Sequence, residues 1–282
     1  MQQIVNMDFW IAIPDSSLAD EQTKRDKSIK IAQIARACAI FKVSRVYIYR
    51  DKERDYSYDR KLLKLILEFM DTPQYLRRIL YPKVAELEFA GLLHPLKAPH
   101  HKPSIDPKSI NVGDIRQAVA AKVKGSYFVD AGLNKLVPLE GSIPEGKRIT
   151  VKFTSRYPTL RCAVASKQDI HEYWGYEVKD VLSISEMLKG LTGVVVMTSK
   201  QGEPLSKFEQ ELKQQTKDAP NILIVFGSPN RGVFEILKDE RRHPKEFTKY
   251  VLNFFPEQAV ETVRLEEAIL GCLSLLNYIV HK

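Results

Sequence analysis

Only three cysteines occur in 282 residues, Cys38, Cys162 and Cys272, and no two form a CxxC pair. That spacing excludes a disulfide scaffold and a cysteine-rich zinc site. No apolar run approaches the roughly 20 residues that a membrane-crossing helix needs. The first residues, MQQIVNMDFWIAIPDSS, carry no basic group ahead of their apolar patch, which argues against a secretory signal. The expectation is a cytoplasmic protein without a membrane partner. No glycine-rich loop ends in GK[ST] and none reads GxGxxG, so neither ATP nor NAD is favoured. The one histidine cluster, His94, His100 and His101, has no cysteine or acidic residue at metal spacing, and no metal is expected there. Internal repeats and low-complexity tracts are also missing.

What is present is an ordinary globular composition, 44% hydrophobic and 28% charged, with a net charge of +8. The excess is local. Between Pro95 and Ala165 lie 12 Lys/Arg and 5 Asp/Glu, and the remaining residues are almost balanced. A localised basic module implies a polyanionic partner, most often nucleic acid.

The same stretch differs in texture. It holds 7 of the 15 prolines and 5 of the 13 glycines. Short alternating runs at Gln117–Val123, Tyr127–Asp130, Leu136–Leu139 and Arg148–Phe153 are separated by turns, which suggests a small all-β barrel, OB-like in size. On either side the pattern is α/β. Strands are expected at Asp8–Ile13, Val46–Tyr49, Gly193–Met197 and Asn221–Phe226, with helices over Ile31–Phe41, Leu62–Met70 and Leu205–Gln215. Thr72 and Pro73 look like the start of another helix. The chain therefore divides into 1–94, an insertion at 95–165, and 166–282.

The stretch from Phe254 to Ile279 reads as the end of a buried strand, a polar turn and an amphipathic helix. Thr262 is the expected N-cap, with Leu265, Ala268, Ile269, Cys272 and Leu276 on one face. Two other strands also end in polar loops, TSKQG (198–202) and GSPNRG (227–232). In a parallel sheet such loops converge at one edge, where open α/β sheets bind ligands.

Several blocks in order resemble one family: QIARACAIFKV (33–43), TPQYLRR (72–78), FAGLLHPLKAPHH (89–101), YWGYEV (173–178), ILIVFG (222–227) and TVRLEEAIL (262–270). Together they resemble the SPOUT RNA methyltransferases, in the branch with a β-barrel inserted in the SPOUT domain. The resemblance implies an α/β trefoil knot that binds S-adenosylmethionine through three loops. By position these supply Thr198, Lys200 and Gly202; Gly227; and Asn253, Phe254, Phe255, Gln258 and Val263. It further implies a homodimer and a substrate of structured RNA, ribosomal RNA methylated at N3 of a uridine being the eukaryotic pattern. Arg36 resembles the arginine of the first SpoU motif, although Lys30 stands where that motif has asparagine. Arg264 and Glu267, at the start of the last helix, are the other catalytic candidates. RNA contacts are expected from His100, His101, Lys122, Lys124, Arg148 and Lys152. Tyr127, Phe128 and Phe153 could stack on bases or fill the barrel. Two alternatives stand beside the enzyme: a non-catalytic RNA-binding or ribosome-assembly factor, and a methyltransferase acting on protein.

Overall fold

The structure is a computed structural model that describes residues 7–282. The first six residues, which include the start of the stretch read above as carrying no signal, lie outside the described residues.

In chain order the main elements are β1 (Asp8–Pro14), α1 (Lys24–Ile40), β2 (Val43–Tyr49), α2 (Ser57–Asp71), α3 (Gln74–Leu80), β3 (Ile115–Val123), β4 (Ser126–Asp130), β5 (Val137–Glu140), β6 (Arg148–Phe153), β7 (Cys162–Val164), β8 (Glu177–Val181), α4 (Ile184–Lys189), β9 (Val194–Pro204), α5 (Glu209–Asp218), β10 (Asn221–Val225), α6 (Val233–Asp239), β11 (Val251–Asn253) and α7 (Leu265–His281). They form two compact units. One contains the described residues up to Glu68, with Glu88–His94 and Tyr176–Lys282; the other contains Phe69–Leu87 and Pro95–Gly175.

The first unit is a parallel six-stranded sheet in the order β11-β9-β10-β1-β2-β8. The central strands β10 and β1 are near-continuous apolar runs because a parallel sheet is covered on both faces. Every residue of β10 is buried, and β1 pairs with it from Asp8↔Asn221 to Ala12↔Val225. Helix α1 is N-capped by Thr23, whose hydroxyl oxygen accepts the Asp26 amide at 3.1 Å. It buries Ile31, Ile34, Ala35 and Cys38, the expected face.

Three local expectations are corrected. TSKQG is not a turn: Thr198–Gly202 continues β9 in extended form. The ladder jumps there, from Val251↔Met197 to Leu252↔Glu203, so these residues bulge out of register. The last helix starts later than expected, at Leu265, with Arg264 rather than Thr262 as N-cap. Glu267 accounts for the shift, because its carboxylate accepts the Arg264 amide at 3.0 Å. Likewise Pro73, not Thr72, caps α3, and Thr72 Oγ1 instead accepts Arg148 Nη1 at 3.0 Å.

The second unit is a closed five-stranded barrel, β3-β4-β5-β7-β6. Four strands match the alternating runs; the fifth, the three residues of β7, had no sequence signal. Val129, Val137, Val151, Phe153 and Cys162 fill the interior. Phe153 is thus a core residue and not a stacking platform.

Candidate active site

The out-of-register part of β9, Thr198–Gln201, and the segments that follow β10 and β11 line one cavity of about 280 Å³. Its walls include Thr198, Lys200, Gly227, Asn253, Phe254, Phe255, Gln258 and Val263. Two loops and a bulged stretch of strand, far apart in sequence, therefore meet, because parallel strands deliver them to the same edge. Of the cofactor residues named from the resemblance, Gly202 alone is not in the wall. A Cβ there would sit 2.6 Å from the Val251 carbonyl oxygen, so Gly202 permits close approach of β9 to β11.

The loops are laced to one another. Asn253 Nδ2 donates to the Lys200 carbonyl at 3.2 Å, and its Oδ1 accepts the Phe255 amide at 2.9 Å. Lys200 Nζ reaches the Glu261 carbonyl at 3.3 Å, which Gln258 Nε2 also approaches at 3.2 Å. The middle loop closes on itself, with Ser228 N donating to the Arg231 carbonyl at 2.7 Å. Arg231 is clamped in turn: Nη1 lies 2.5 Å from the buried Asp51 and Nη2 lies 2.7 Å from Asp239. Asp51 is held by Ser16 Oγ at 2.7 Å, and its amide donates to Asp15 at 2.8 Å. Burial pushes the Asp15 carboxyl above its ordinary value, partly offset by the hydrogen bond from the Asp51 amide and by the nearby Arg60. Tyr49 donates its hydroxyl to the Phe226 carbonyl from below.

Sequence reasoning missed this support. Asp15, Asp51 and Arg231 come from three strand ends, and no spacing rule links them. It also missed Glu235 and Glu261, carboxylates in the cavity wall whose side chains make no hydrogen bond or ion pair among the described residues.

The proposed catalytic residues lie outside the cavity wall of one chain. Arg36 is on the exposed side of α1. Arg264 is exposed and points toward Glu21 at 3.4 Å and Glu266 at 3.7 Å. Glu267 is engaged in the cap just described. Lys30, the departure from the SpoU motif, is 2% exposed and pairs with Asp20 at 2.6 Å and Glu266 at 3.5 Å, tying α1 to the first turn of α7.

In the second unit the expected RNA contacts separate into two kinds. His100 is fully buried, and its Nε2 lies 2.9 Å from the Asp71 carbonyl and 3.1 Å from the Asp71 carboxylate. His101 Nε2 and Arg148 Nη2 approach the same carbonyl, each at 3.0 Å, and Arg148 also holds the carboxylate at 2.7 Å. Lys152 pairs with Asp169 at 2.7 Å. These four groups are committed to the protein, and only Lys122 and Lys124 stand exposed on the hairpin. Asp71 with the two histidines brings three groups of metal-ligating type within 4.8 Å, from positions 29 residues apart. However, both Nε2 atoms aim at one carbonyl and Arg148 covers the carboxylate, so hydrogen bonding to the orphan carbonyl at the end of α2 accounts for the group.

This arrangement predicts a pH effect. Burial, and next the neighbouring His100, push the His101 imidazole down to about 4. The unfolded chain then takes up a proton before the folded one. Stability is present above the ordinary histidine range and is lost as pH falls from about 6.5 to 4, by about 2 kcal/mol once partial exposure is allowed for. Urea midpoints at pH 7.5 and 4.5 should show this loss in the native chain and a smaller one in His101→Gln. Equal losses would overturn the assignment.

The family model described as "Putative RNA methyltransferase" matches residues 8–276. The chain belongs to this RNA methyltransferase family. The RNA-methyltransferase reading of the sequence blocks is thereby borne out. Among its relatives, an uncharacterized protein of Halobacterium salinarum is 28% identical, over 95% of this chain and 98% of its own length. The 28S rRNA (uridine-N(3))-methyltransferase of Homo sapiens is 29% identical, over 95% of this chain and 77% of its own length. A SpoU methyltransferase structure from Streptomyces viridochromogenes aligns with a TM-score of 0.38 at 9% identity, covering 97% of this chain and 60% of the other. The protein is an RNA methyltransferase, and its activity needs a methyl donor.

Proposed function

We propose that this RNA methyltransferase takes its methyl group from S-adenosylmethionine and modifies ribosomal RNA at N3 of a uridine. The observation that carries the reading is one cavity shared by the bulged part of β9, the 227–232 loop and the segment after β11. Its walls combine apolar rings, Phe226, Phe254 and Phe255, with backbone groups of the middle and last loops. That mixture suits a nucleoside with a charged tail, and Gly227 leaves the backbone open to close approach. When bound, the sulfonium group supplies an electrophilic methyl and loses its positive charge on transfer. The chain's own task is to hold the uracil nitrogen in line and let its proton leave, so positioning carries most of the rate.

On this reading the excursion of β9 and the segment from Asn253 to Val263 belong to a trefoil knot, and the barrel is OB-like. Its strand order, with the fifth strand between the third and fourth, supports that comparison. A homodimer through α1 and α7 completes the site. Ile40 on α1 and Leu270 and Tyr278 on α7 are large, apolar and exposed, and exposed apolar side chains on these two helices favour an interface. Arg36, beside Ile40 on the same outer surface, would then meet the RNA bound to the partner copy, with Arg264 near the cofactor. Among the described residues no helix is long and apolar enough to cross a membrane; we place the protein in the cytoplasm, with its RNA.

Titration calorimetry with S-adenosylmethionine should show binding, and ribosomal RNA incubated with both should yield N3-methyluridine by nucleoside mass spectrometry. A folded chain that binds the compound but methylates another atom would overturn the uridine assignment. No binding would overturn the cofactor assignment.

A further inference from the structure

We propose that the barrel rim carrying Tyr157, Lys108 and Lys135 is where an unpaired base of the RNA stacks. The inference rests on the RNA substrate argued above and names the surface that receives it. Strand pairing defines the rim. Ile115 of β3 opposes Lys152 of β6, Phe153 opposes Cys162 of β7, and Val129 of β4 opposes Val137 of β5. The segments entering β3, joining β4 to β5 and joining β6 to β7 therefore lie at the same end of the barrel. Each contributes one group. Lys108 sits in a short 3-10 turn, Pro107–Ser109; Lys135 precedes β5; Tyr157 is midway between β6 and β7.

Tyr157 is 47% exposed, in contrast to Phe153 in the core. Lys135 Nζ lies 5.0 Å and Lys108 Nζ 5.8 Å from its ring centroid. Two ammonium groups drawn to one ring repel each other, and no carboxylate pairs with either among the described residues. Arg156 and Arg161, exposed on the same segment as Tyr157, also lack side-chain partners among the described residues. The rim's acidic residues are turned to backbone amides instead. Asp106 accepts the Lys108 amide at 2.8 Å, Asp114 the Asn111 amide at 2.8 Å and Asp130 the Gly132 amide at 2.9 Å. An aromatic face between uncompensated cations fits a base on the ring and phosphates on the lysines. Duplex RNA offers phosphates but no free base, so the surface favours an unpaired segment.

The test uses the full chain and a labelled RNA hairpin with a pyrimidine loop, against a blunt duplex of the same stem. Tyr157→Ala should weaken hairpin binding about tenfold, and Tyr157→Phe should restore it. Lys108→Ala with Lys135→Ala should weaken it further and lower the salt slope by about 1.4, since each phosphate contact contributes about 0.7 for single strands. Lys122→Ala with Lys124→Ala, at the opposite end of the barrel, should have a smaller effect on hairpin preference. Urea unfolding of each variant, matched to the native chain, verifies that the barrel is folded. Native binding to the hairpin with no change in the Tyr157 and Lys108/Lys135 variants would overturn the rim assignment and leave the RNA reading intact. Equal affinity for the duplex would overturn base stacking. No RNA binding by the native chain would overturn the RNA reading itself, and the rim with it.

Discussion

Replacing Gly227 with alanine is expected to weaken S-adenosylmethionine binding at least 30-fold while leaving most of the fold intact. A Cβ at this position would lie 2.7 Å from the Arg231 carbonyl oxygen and 2.9 Å from the Gly232 Cα. Both are backbone atoms, so no side-chain rotation relieves the overlap. The loop has little room to move as a whole, because Arg231 is held by Asp51 and Asp239 and the Phe226 carbonyl by Tyr49. The strain must then open the cavity wall, and a 30-fold loss corresponds to about 2 kcal/mol. Gly91→Ala is the control, since nothing lies within 4 Å of a Cβ there. Titration calorimetry on both variants decides the matter. A Gly227→Ala affinity within threefold of the native value would show that the loop does not contact the cofactor.

The largest loss of stability is expected from Asp71→Ala. Asp71 is buried, and its carboxylate faces Arg148 at 2.7 Å and His100 at 3.1 Å. Removing one partner of a buried pair leaves the other charge uncompensated, at a cost of about 3–5 kcal/mol. The backbone carbonyl of Asp71 remains, so its hydrogen bonds to His100, His101 and Arg148 survive in part and set the lower end of that range. Adding Arg148→Met should recover a good part of the loss, because it removes the stranded guanidinium. Urea unfolding of the single and double variants tests both statements. A single-variant loss below about 1 kcal/mol, the scale of exposed ion pairs, would mean the cluster is solvated and replaceable. Gly175 adds a packing constraint on the same carboxylate. Its φ is +88°, and a Cβ there would lie 2.1 Å from Asp71 Oδ1.

The limits of sequence reading are physical. Periodicity found the buried strands because β10 and β1 are apolar on both faces, and it found α1 because one stripe is buried. It placed the barrel because turns and alternation share a short period. It missed β7, whose three residues are too few to show alternation. It set Thr262 as the cap of α7 because hydroxyl residues are the commonest caps; the Glu267 carboxylate won that competition from three residues beyond Arg264.

Charge counting located the basic module but misjudged which cations are free. His100, Arg148 and Lys152 were chosen as RNA contacts, yet partners distant in sequence, Asp71 and Asp169, hold them. The exposed cations around Tyr157 carry no distinguishing signal in the chain, because exposure is a property of the folded rim. Thus the amino-acid order was enough for the family, the α/β frame and the barrel, but not for the form of the TSKQG stretch, which is strand and not loop. Those follow from local patterns and from blocks of residues in sequence. Which groups face the cavity, which ions are already paired and which aromatic ring is left in water follow from contacts between distant segments. Such contacts exist only once parallel strands have brought the loops to one edge and the barrel has closed.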